Sequence, residues 1–116
     1  MNSLALALSW AAVLAYFERD PAEVDRFASK LIELCTRHNF LYWLANGQIY
    51  RGWARSACGD TATGISWIEQ GIADHRATGT VLALPGHLAR KAEASYLADR
   101  TPEALEAINE AEAIAQ

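Results

Sequence analysis

Displaced by about 40 residues, the chain superimposes on itself, and this self-similarity constrains its fold more than any other feature. Leu4, Leu44 and Leu84 align, as do the small residues Ala12, Gly52 and Ala92. The turn pairs Arg19-Asp20, Gly59-Asp60 and Asp99-Arg100 align as well. Each is followed by a helix start: Pro21-Ala22-Glu23, Thr61-Ala62-Thr63 and Thr101-Pro102-Glu103. Ala28, Ile68 and Ile108 then share one phase of the second helix, and Leu31, Gly71 and Ala111 share the next inward position. A fixed period of this size marks a stack of helical units, in which each hairpin completes its core against its neighbours. The expected fold is all-α: six helices in three stacked antiparallel hairpins forming one domain. Its units span about 1–39, 40–79 and 80–116.

The small residues explain how such a stack closes. Ala12, Gly52 and Ala92 are expected to face Val24, Gly64 and Ala104, where side chains must be small for two helices to approach. A glycine inside a helix costs about 1 kcal/mol against alanine. Gly64 and Gly71 are therefore expected at close contacts.

Residues Gly52, Gly59, Gly64, Ile68 and Gly71 stand at the signature spacing of the tetratricopeptide repeat, which the middle unit resembles. Ala92, Asp99, Ala104, Ile108 and Ala111 repeat the pattern in the third unit. The first unit, with Ala12, Arg19, Val24, Ala28 and Leu31, is a degenerate copy. The repeat is about six residues longer than the usual 34, which implies a longer first helix in each pair. A narrower resemblance covers Trp43 to Ala113. Arg51-Gly52-Trp53-Ala54, Arg76-Ala77-Thr78-Gly79, Pro85 and Ala92-Glu93-Ala94 look like the C-terminal repeat region of large bacterial regulators that carry an ATPase module and a nucleotide cyclase domain. Only the repeat part is resembled, so neither activity is implied. What is implied is a tetratricopeptide-like superhelix that binds a protein or peptide in a bacterial signalling or regulatory system.

Charge and cysteines narrow the classes. The formal net charge of −4 lies wholly in Glu103, Glu106, Glu110 and Glu112, since residues 1–100 balance ten basic against ten acidic side chains. Those glutamates suit a helix start, or form an acidic face for a basic partner. With a pI near 5.3 and no basic stripe, nucleic acid is not an expected partner. Cys35 and Cys58, 23 residues apart, are expected as buried, reduced thiols. No metal or cofactor is expected.

The apolar run Leu4 to Phe17 is too short for a membrane span of ~20 residues, and no positive charge precedes it as in a signal sequence. It is expected as a repeat helix covered on its outer side, and the expected compartment is the cytoplasm. Helix two should run from about Pro21 to His38, with Asp20 as N-cap and Asn39 in the left-handed conformation. Helix three should span about Leu41 to Cys58, and helix four about Ala62 to Ala77. Helix five either begins or kinks at Pro85-Gly86 and ends near Ala98. Helix six should use Thr101 as N-cap and Pro102 at N1.

No catalytic motif is present: the sequence has no H-E-x-x-H, G-x-S-x-G, P-loop or G-x-G-x-x-G. His38 and His75 lie near helix C-termini, where a cation is favoured, and His87 shares no spacing with them. By analogy with the tetratricopeptide repeat, a concave groove would be lined by Ser9, Val13 and Tyr16, then Asn46, Ile49, Trp53 and Ser56, then Ala89, Glu93 and Tyr96. Tyr16, Trp53 and Tyr96 would serve as aromatic anchors there, with Asn46, Ser56 and Glu93 as hydrogen-bonding groups. The same aromatic residues also fit core packing. Arg51 and Arg55 would meet an acidic ligand or sit on a solvated face. Three functions follow: a non-catalytic protein-binding module, a self-assembling domain whose apolar end helices form a homodimer, or a small-molecule sensor with a pocket between the aromatic helices.

Overall fold

A computed structural model describes residues 3–115 and contains six helices: α1 Ser3–Phe17, α2 Pro21–His38, α3 Leu41–Ala57, α4 Thr61–Ala77, α5 Leu84–Leu97 and α6 Thr101–Ala115. Consecutive helices pair along the whole chain, so the three hairpins stack in order. The radius of gyration is 13.2 Å, close to the ~13 Å of a globular domain this long. Three units therefore pack as tightly as an ordinary globular domain of this length.

The turns carry the repeat in their backbone. Arg19 (φ 59°), Gly59 (φ 107°) and Asp99 (φ 59°), equivalent residues of the three units, are all left-handed. So are Asn39 (φ 57°) and Gly79 (φ 81°) between units. The left-handed residue after a helix lets backbone amides return to its last carbonyls: Asp20, Asp60 and Arg100 donate to Ala15, Arg55 and Ser95 in the same way. The next helix then starts on a side-chain cap. Asp20 accepts from the Glu23 amide at 3.2 Å, and Asp60 from the Thr63 amide at 3.3 Å. Replacing either aspartate with alanine should lower stability by about 1 kcal/mol, read as a fall in the urea midpoint. An unchanged midpoint would mean that water satisfies those amides equally well.

One expected helix start differs from that observed, and the alternatives left open at Pro85-Gly86 resolve to a helix start. Helix α6 begins at Thr101 itself, because the Ala104 amide bonds to the Arg100 carbonyl, placing Arg100 rather than Thr101 at the cap position. Helix α5 begins at Leu84 without a kink, with Pro85 in its first turn, where no intrahelical donor is needed.

Small residues set the packing. An added Cβ at Gly64 would lie 2.5 Å from the Gly52 carbonyl oxygen and 2.8 Å from the Ser56 amide nitrogen. One at Gly52 would lie 2.7 Å from the Gly64 carbonyl oxygen, and one at Gly71 2.5 Å from the Ile49 side chain. Around this contact Val24, Ala28, Ile49, Trp53, Ile65 and Ile68 form the main core. A second cluster of Ala5, Leu31, Leu34 and Cys35 ties α1 to α2. The repeat phase also shows where the stack stops. Ala28 and Ile68 are fully buried, while their equivalent Ile108 is half exposed.

Candidate functional site

Helix α1 packs on α3 and α3 on α5 backbone to backbone, whereas α4 and α6 meet through the tips of long side chains, the Arg76 guanidinium on the Glu110 carboxylate. The odd-numbered helices therefore share one face that runs across all three units. Side chains cross it. The Tyr16 hydroxyl of α1 donates to the Glu93 carboxylate of α5, and Arg19, in the turn after α1, pairs with the same carboxylate at 2.7 Å. The Arg19 guanidinium also lies over the rings of Tyr16 and Trp53, at 5.3 and 5.1 Å.

Beneath this bridge the expected groove is filled. Trp53 is 2% exposed and meets the Tyr16 ring edge-on at 4.8 Å. The Tyr50 ring packs on Tyr16 at 5.9 Å. Arg90, only 8% exposed, lies over both tyrosines at 4.3 and 5.0 Å and donates to the Gly86 carbonyl. Burial and the Glu93 carboxylate push the Tyr16 hydroxyl above its ordinary pKa, and burial does the same for Tyr50. Both stay neutral beside the arginine.

The six groove candidates therefore separate. Tyr16 and Glu93 come together at the surface bridge. Trp53 and Asn46 lie below it, and Ser56 is buried against Gly64, so these three are packing residues rather than open groove walls. Tyr96 is 68% exposed, one turn beyond Glu93 on α5. The space between the aromatic helices is occupied by Tyr16, Tyr50, Trp53 and His87 themselves. Arg51 and Arg55 lie on another side, both over the Trp67 ring at 4.9 and 5.0 Å, with Arg51 paired to Asp25 at 3.2 Å.

Of the two histidines expected at helix ends, His75 departs from the solvated role, and His87 joins it. His75 is near the end of α4 but is fully buried, because α3 and α5 cover it: its ring meets Tyr42 at 5.3 Å and His87 edge-on at 4.8 Å. It is not a solvated helix-end cation, since burial lowers its pKa. His87 Nε2 donates to the Asn46 amide oxygen at 2.8 Å. Burial first, then the proximity of His75 and Arg90, lowers the His87 pKa to about 3. The pair is neutral at pH 7. Of the cysteines, Cys35 is buried as expected, but Cys58 is exposed because it follows the last turn of α3. Both are free thiols. Among the described residues no cluster of three or more metal-ligating side chains occurs, and no helix is long and apolar enough to cross a membrane.

No protein-family model matches this chain, and no solved structure matches it. It is similar to a protein of Rhizobium meliloti (strain 1021) described only as uncharacterized, with 26% identity over 110 residues. That alignment covers 95% of this chain and 11% of the relative, so the chain spans about a ninth of the relative's length.

Proposed function

We propose that this chain is a non-catalytic protein-binding module whose contact face is the shared face of α1, α3 and α5. The observation that carries the proposal is the strip formed by Arg19, Glu93 and Tyr96. Opposite charges there are already held in place by the buried Tyr16 and Trp53, with an exposed tyrosine beside them. Aromatic and arginine side chains held on a rigid base lose little entropy on binding and dominate protein interfaces. The tetratricopeptide-like pattern supports the same face, and it carries the further proposal of a bacterial, cytoplasmic signalling or regulatory role. The length of the Rhizobium relative supports a module within larger chains.

Photo-crosslinking in the native cell tests this reading. A photoreactive phenylalanine at Tyr96 is expected to give one or a few discrete protein adducts. Glu93→Arg should remove them, and the same probe at Gln70 on α4 should give none. Adducts no different at Tyr96 and Gln70 would overturn the assignment of this face.

A further inference from the structure

Helix α1 contains no charged residue from Ser3 to Phe17. Its inward side is small or polar: Ala5, Ser9, Ala12, Ala15 and Tyr16 are buried against α2 and α3. Its outer side is large and apolar. Trp10 is 60% exposed, Leu14 59% and Phe17 67%. With Ala7 they recur at intervals of three, four and three residues, the spacing of a seam between two helices. Leu4 extends the stripe by a further turn. Leu6, Leu8 and Val13 of the same helix are half-buried and lie off this stripe.

We infer that this face of α1 docks antiparallel on the same face of a second copy of the chain. Four observations favour that occupant. The face carries no charge, so two copies meet without repulsion. Helix α1 has no acidic residue in its first turn and no basic residue in its last, so within the helix no side chain adds to the compensation that antiparallel α2 gives its macrodipole. Antiparallel pairing sets the positive N-terminus of each α1 beside the negative C-terminus of the other. A two-fold axis near Trp10 places Ala7 opposite Leu14, small against large, and Leu4 opposite Phe17.

The fourth observation is area. With Trp10 60% and Phe17 67% exposed, these two rings leave roughly 250 Å² open per protomer, on the scale of about 150–250 Å² for a whole aromatic side chain. Doubled, and with Leu4, Ala7 and Leu14 added, the exposed stripe offers at most roughly the 1,000 Å² of buried area that a specific interface must clear. The opposite end of the stack differs. On α6, Leu105 and Ile108 are exposed beside Glu103 and Glu106, with Glu110 taken up by Arg76, so a second copy there would bring Glu103 and Glu106 against their own copies.

Light scattering on the full chain across a hundredfold concentration range tests the inference. The expected mass is twice 12.7 kDa. Trp10→Glu combined with Leu14→Glu should return it to 12.7 kDa, weakening association at least about 100-fold with the helical circular dichroism unchanged. A second experiment reads the arrangement. In a Cys58→Ser background, Ala7→Cys and Leu14→Cys together should form interchain disulfides on mild oxidation, while either alone should not. A monomer at every concentration, a dimer that survives the double glutamate variant, or crosslinking by a single cysteine would each overturn the proposal. None of these outcomes bears on adducts at Tyr96, so the two faces are tested separately.

Discussion

Replacing Gly64 with valine is expected to abolish the native stack, a loss of more than about 5 kcal/mol that leaves no cooperative thermal transition. Helix propensity alone predicts the opposite sign, because every residue but proline is a better helix former than glycine. The close approach of α3 and α4 reverses it. The first carbon of any side chain at Gly64 meets main-chain atoms, the Gly52 carbonyl oxygen at 2.5 Å and the Ser56 amide nitrogen at 2.8 Å, and main chain in a packed helix cannot rotate away. Alanine already places that carbon there, so Gly64→Ala should also destabilise, by about 1–3 kcal/mol of overpacking. Gly86→Ala is the contrasting case. The atom it would meet is the tip of the Arg90 side chain, at 2.7 Å, which can shift at smaller cost. Thermal denaturation of the three variants checks the order. A Gly64→Ala variant more stable than the wild type would show that the two helices are not held together at this point.

Acid is expected to unfold the protein through His87. The folded pKa of about 3 lies below the ordinary 6.5, so between those values the unfolded chain binds a proton that the folded one refuses. Stability is therefore full above pH 6.5 and falls as the pH drops towards 3. At about 1.4 kcal/mol per pH unit, the whole window is worth roughly 4 to 5 kcal/mol. Burial moves His75 in the same direction, and the two rings are in contact, so protonating either one works against the other. The diagnostic range is pH 6.5 to 5, above the ordinary carboxylate range. Urea midpoints of the wild type should fall there, and those of His87→Gln should fall less steeply. Parallel slopes for the two proteins would mean that the titrating group is another one.

Most of the helical frame was legible because its signals are local. Left-handed turn residues, aspartate caps and apolar phases all lie within a few positions of one another, and they placed α2 from Pro21 to His38. Gly52 and Gly64 were legible for a related reason, since glycine in mid-helix has few causes other than close approach. What stayed hidden depends on which element covers which. Nothing beside His75 in the sequence says that α5 will bring His87 against it. Trp53 has the same spacing whether it lines a groove or fills it, and the answer comes from Tyr16, 37 positions earlier. Helix α1 is uncharged on every side, so periodicity could not tell its inner face from its outer. Only the packing of α2 and α3 against Ala5, Ala12 and Ala15 left Trp10 and Phe17 outside.

The bridge from Tyr16 and Arg19 to Glu93 has a mechanical consequence. A stack whose units touch only their neighbours bends like a coil spring, each joint yielding a little and none sensing the next but one. This bridge joins the first unit to the third across the second, between residues 77 positions apart. It acts as a clasp between them, and stretching the spring means opening it. Removing the Glu93 carboxylate would therefore free the first unit from the third at this point, while the pairings of α3 with α4 and of α5 with α6 stay as they are.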